Sequence, residues 1–68
     1  MIKENDVVEL LEDNSEFNLK KGDKGTILMI LSASPLVYEI EFMNDDGETL
    51  AVETIQGDSV KLFWSANN

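Results

Sequence analysis

Within the segment Leu36-Val37-Tyr38-Glu39-Ile40-Glu41-Phe42-Met43, apolar and acidic residues alternate from Tyr38 to Phe42. A strand sends successive side chains to opposite faces, so Tyr38, Ile40 and Phe42 share one face while Glu39 and Glu41 share the other. A helix would scatter the same residues around its girth. The chain is thereby committed to a sheet with one dry and one wet face, and the rest of the sequence must supply cover for the dry one.

The remaining text comes in strand-sized pieces. Asp6-Val7-Val8-Glu9-Leu10-Leu11 reads as strand 1. The polar stretch from Glu12 to Lys21 has no helical period and reads as a long first loop. Lys21-Gly22-Asp23-Lys24-Gly25 reads as a glycine turn leading into strand 2, Thr26 to Leu31. That strand is apolar on both faces. Ser32-Ala33-Ser34-Pro35 reads as the next turn, where proline stops the ladder.

Asn44-Asp45-Asp46-Gly47 is a hairpin loop with glycine at the left-handed position. Glu48 to Thr54 alternates again, and Leu50 and Val52 are expected to face inward. Gln56-Gly57-Asp58-Ser59 suits a 3₁₀ turn before a last short strand, Val60 to Leu62, with Phe63 and Trp64 closing the ordered part. No window holds an amphipathic helix. The expectation is an all-β fold: a five-stranded SH3-like barrel over residues 1–64, with a long first loop, a short 3₁₀ turn before the last strand and a frayed tail at 65–68.

A chain of 68 residues makes one domain with a thin core; chains of this size bury only about 60% of their unfolded surface. With no cysteine and no histidine, disulfides and thiolate or imidazole metal sites are excluded. No stretch approaches the roughly 20 apolar residues of a membrane span. The opening Met1 to Asp6 lacks the apolar core of a secretory signal, so the cytoplasm is the expected location.

Certain residues carry a family resemblance. Leu19-Lys20-Lys21-Gly22-Asp23-Lys24-Gly25-Thr26-Ile27 resembles the glycine-aspartate lead-in of KOW-type and nitrile-hydratase-β-like barrels. Together with Met1 to Val8, Tyr38 to Phe42 and Asp46-Gly47-Glu48-Thr49, it is similar to a family of small uncharacterised bacterial proteins, often cyanobacterial. The chain departs from that pattern at Ser32 to Pro35, where a glycine-bearing turn is expected. The resemblance implies the SH3-like fold. On function it implies only that a neutralising antitoxin or immunity-type role fits, because relatives lie beside toxin-like genes.

Catalysis is poorly supplied. Without histidine, cysteine or arginine, acid–base work would fall to carboxylates, lysines or Tyr38. Glu39 and Glu41 share a strand face, as any solvated face would arrange them. The loop from Asn44 to Glu53 matches part of a calcium loop's spacing, but its first position is Phe42, which cannot ligate. An enzyme is not expected, and no cofactor or metal is.

Fourteen acids against five lysines give a formal charge of −9. Such a surface repels phosphate backbones, so nucleic acid is a poor partner despite the cluster Lys20, Lys21 and Lys24. It attracts basic proteins and speeds their encounter. The candidate partner-binding residues are Trp64, Phe63, Met29, Leu31, Glu39 and Glu41. Trp64 either caps the open end of the barrel or stands exposed as an anchor. Met29 and Leu31 pose the same choice, because a barrel has one interior. Two readings follow: an acidic protein–protein interaction module, or a structural accessory domain similar to the nitrile-hydratase-β barrel that packs on a larger subunit or on itself. A KOW-type module on RNA or the ribosome comes third.

Overall fold

A computed structural model describes residues 1–65. Five antiparallel strands form one sheet: β1 (Val7–Leu10), β2 (Lys24–Ala33), β3 (Leu36–Met43), β4 (Thr49–Gln56) and β5 (Val60–Trp64). Their spatial order is β4-β3-β2-β1-β5. One 3₁₀ turn, Ser15–Phe17, lies in the long β1–β2 loop, and another, Gly57–Ser59, precedes β5. There is no α-helix among the described residues, and therefore none long and apolar enough to cross a membrane.

Residues paired across antiparallel strands point to the same side. One side carries Val8, Gly25, Phe42 and Ala51 in a row, followed by Ile27, Ile40 and Glu53, then Ile30, Tyr38 and Ile55. Leu10 and Val60 pair on that same side at the β1–β5 end. This is the dry face. Val8, Leu10, Ile27, Tyr38, Ile40, Phe42, Ile55 and Val60 are buried, and Leu19 reaches back from the long loop to join them. Phe17 packs partly against the same cluster. An antiparallel bridge between Asn14 and Leu19 folds the loop to make this return.

β3 runs over the residues its alternation predicts. β2 is longer than expected and includes Lys24, Gly25, Ser32 and Ala33. Gly22 is the turn glycine, at φ +90°. Gly25 serves a different purpose from the one its spacing suggests. It lies within β2, where a Cβ would come within 2.5 Å of the Ile40 methyl and 2.8 Å of the Glu41 carbonyl oxygen. A bare backbone lets β2 and β3 close over the core.

The face of β4 is the reverse of the expected one. Leu50 is 51% exposed and Val52 lies opposite Glu41 on the wet side, while Ile55 is buried. The shift between Phe42 and Met43 leaves Leu50 as an unpaired extra residue. Glu53 then falls on the dry side opposite Ile40. Because β4 is an edge strand, its dry row stays half open to water and can hold a carboxylate.

The two ends of the chain meet. Asp6 is fully buried. Its Oδ2 accepts from the Lys3 backbone N–H at 2.9 Å, and its Oδ1 accepts from Ser65 Oγ at 3.0 Å. Ser65, assigned by sequence to a frayed tail, is thus fastened. Residues 66–68 of that tail lie outside the described residues.

Candidate functional site

The wet face has its own rows. Trp64, Val7, Thr26, Glu41 and Val52 stand in register across all five strands, as do Lys61, Glu9, Lys24, Met43 and Thr49. A register shift on the β1–β5 ladder leaves Phe63 as the extra residue between Leu62 and Trp64. The Lys24 ammonium lies 4.6 Å from the centre of the Phe63 ring, within the range in which a cation is held by an aromatic face. Trp64 is 57% exposed and Phe63 55%. Of the two roles open to Trp64, the structure places it as an exposed side chain.

Beside these aromatics runs a groove of about 440 Å³, lined by Val7, Lys24, Met43 and Leu50 and walled by Gly22, Asp23, Asn44, Asp45 and Gly47. Val7, Met43 and Leu50 supply its apolar lining, and Asp23 and Asp45 bring two carboxylates close to Lys24. Local hydrogen bonds shape both walls. Asp23 Oδ2 accepts from the Lys20 N–H and closes the glycine turn. Asn44 Oδ1 accepts from the backbone N–H groups of Asp46 and Glu48, and its amide donates to Glu48 Oε1. Gly47 takes φ +83° there. Asn44 thus acts as the internal brace of the β3–β4 loop. Among the described residues no group of three or more acids is arranged to hold a metal ion.

The sequence-derived candidates fall into two groups. Phe63 and Trp64 stand next to the groove, against its lining residues Lys24 and Val7, without lining it. Met29 and Leu31 lie on the far half of β2, 48% and 47% exposed. Glu39 is in register with Met29. Glu41 sits between the groups, opposite Thr26, and accepts from the Thr49 hydroxyl. Its side chain is committed to a neighbour on β4. The groove residues Val7, Met43, Leu50, Asp23 and Asp45 were not singled out from sequence. The usable signal was the apolar pair Leu50 and Val52, which the opposite face assignment concealed. A second cleft, about 340 Å³, lies between Pro35, Leu36 and the Gln56–Asp58 segment.

Neither the curated proteins nor the solved structures give a match to this chain. The profile of the family described as Domain of unknown function (DUF4926) matches residues 4–62. That match spans every strand except the last two residues of β5, so it covers the sheet, the long loop and both walls of the groove. The chain belongs to the domain of unknown function family DUF4926.

Proposed function

We propose that this chain is a cytoplasmic, bacterial, acidic protein-binding module on an SH3-like barrel, which captures a basic protein partner with the groove beside Phe63 and Trp64. The observation that carries the reading is the pairing of exposed apolar anchors with carboxylates. Val7, Met43 and Leu50 line the groove together with Asp23 and Asp45, Phe63 and Trp64 stand exposed beside it, and the molecule carries a net charge of −9.

Tryptophan is enriched among residues that dominate binding energy, and complementary charge speeds encounter and excludes wrong partners. The one cation in the groove, Lys24, is drawn over Phe63 and leaves the rim acidic. The barrel reading rests on the strand order, the long β1–β2 loop and the 3₁₀ turn before β5. A neutralising antitoxin or immunity-type role is the most concrete form of this function. A structural accessory domain of the nitrile-hydratase-β kind is the alternative, favoured by the exposed apolar half of β2.

The test is affinity capture with wild-type protein and a Phe63→Ser, Trp64→Ser variant in parallel, followed by stepwise salt elution. The module reading predicts a basic protein held by wild type, released by salt and absent from the variant. Partners retained equally by both proteins, or released only by denaturant, would favour the accessory-domain alternative.

A further inference from the structure

Fourteen consecutive residues, 25 to 38, carry no charge, although fourteen acids and five lysines are spread through the rest of the chain. The structure turns this segment into an edge. β1 pairs with β2 only from Lys24 to Thr26. The last backbone bonds on that side join Ile27 to Asn5 and Asp6, at 2.8 and 2.9 Å. From residue 28 to 33, β2 is hydrogen-bonded to β3 on one side. Among the described residues no backbone hydrogen bond reaches its other side.

Two register shifts, between Ile27 and Met29 and between Ile30 and Ser32, insert Leu28 and Leu31 as extra residues. Leu28, Met29, Ile30 and Leu31 are consequently all exposed, by 39 to 48%. Native sheets guard such edges with lysines, inward charges or proline. Here the shifts bend the strand, but no charge stands on it and proline comes only at Pro35.

We propose that a second copy of the same chain covers this edge, the 28–33 half of β2 meeting its twin antiparallel about a two-fold axis near Met29–Leu31. Charge selects the occupant. A basic partner finds no carboxylate on the strand. Glu39 lies one strand inward, in register with Met29. Two copies that meet across the acid-bearing strands β3 and β4 set like charge against like charge, at −9 for each molecule. A two-fold contact here sets a neutral strand against itself, and a self-complementary patch is what an isologous dimer requires. The groove beside Trp64 is lined by Val7, the start of β2, the end of β3, the β3–β4 loop and Leu50, so it remains free in the dimer.

Self-association through a neutral patch on a highly charged molecule strengthens with salt, because screening weakens the long-range repulsion of the two bodies. Sedimentation equilibrium of the full chain at low and high salt tests this. The expected result is a monomer–dimer equilibrium that tightens with salt and weakens by about tenfold or more in Kd for Met29→Lys and Leu31→Lys, as loss of a central contact should. Melting curves verify that the variants fold. A variant-independent check uses the absence of native cysteine. Single cysteines at Met29, Ile30 and Leu31, the positions at the axis, should cross-link under oxidation, whereas Glu48→Cys, in the β3–β4 loop, should not. A monomer at every concentration and salt, a dimer that survives both lysine variants, or cross-linking at Glu48→Cys in preference to β2 would overturn the proposal.

Discussion

Ser65 Oγ donates to Asp6 Oδ1 at 3.0 Å, across 59 residues of sequence. The other oxygen of the same carboxylate takes the Lys3 N–H, and the Asp6 carbonyl takes the Ile27 N–H. One buried acid therefore holds the turn before β1, the middle of β2 and the residue after β5. β1, β2 and β5 meet at this point, and Trp64 is the residue immediately before Ser65. The knot thus sets where the exposed tryptophan stands.

Removing that carboxylate should be expensive. Asp6→Ala removes the acceptor of two part-buried hydrogen bonds, from the Lys3 N–H and the Ser65 hydroxyl, and a loss of about 1–3 kcal/mol of stability is expected. Asp6→Asn keeps an acceptor and a donor for the two partners and should lose less. Ser65→Ala should lose about 1 kcal/mol. Urea denaturation of the three variants measures this. An Asp6→Ala variant as stable as wild type would remove the knot from the account.

Gly25 should tolerate no side chain. Gly25→Ala must push a methyl against Ile40 and the Glu41 carbonyl, and overpacking of this kind costs about 1–3 kcal/mol. Gly22→Ala meets open space but a φ of +90°, so its penalty should come from backbone strain of about 1–2 kcal/mol. Thermal melts of the two variants would show losses of similar size.

The face of β4 can be read from two substitutions. Leu50→Lys lies on the wet side and should change stability by less than about 0.5 kcal/mol. Ile55→Ala lies in the core and should cost about 2–4 kcal/mol. Equal losses at the two positions would mean that the strand presents its other face.

β3 was legible because it is paired on both flanks, with Tyr38, Ile40 and Phe42 buried on one side and Glu39 and Glu41 partly exposed on the other, so the alternation of that central strand is complete. The 3₁₀ turn at Gly57–Ser59 and the positive φ of Gly22 and Gly47 were legible from local chemistry. β4 was not, because an edge strand is only half constrained. Its wet side carries Leu50 and Val52 and its dry side carries Glu53, so hydropathy points the wrong way. Gly25 looked like a turn residue because nothing local reveals the approach of Ile40. The groove was invisible for the same reason: its floor comes from β1, β2, β3 and β4, and Leu50 enters it through a register shift that no periodicity encodes. Phe63 and Trp64 were legible as candidates because a filled core leaves little room for two aromatics at the end of the last strand.

Phe63 and Trp64 should matter little to the fold. Trp64→Ser should change stability by less than about 1 kcal/mol, because more than half of the side chain is exposed. Phe63→Ser also releases Lys24, a loss of about 0.5–1 kcal/mol at an exposed site. A drop of several kcal/mol in either variant, measured by urea denaturation, would make these aromatics part of the core and not anchors for a partner.

Trp64 is the chain's single tryptophan, so its fluorescence reports directly on the proposed surface. The decisive measurement is its emission during titration with an amphipathic lysine–leucine peptide, against a glutamate–leucine peptide of the same length as control. The account predicts a saturable blue shift with the cationic peptide alone. Its Kd should rise by about tenfold or more as salt approaches ~1 M, where screening is nearly complete. Leu50→Lys should abolish the shift. An unchanged spectrum with the cationic peptide, or an equal response to both peptides, would contradict the claim that an acidic, apolar-floored groove beside Trp64 selects a basic partner.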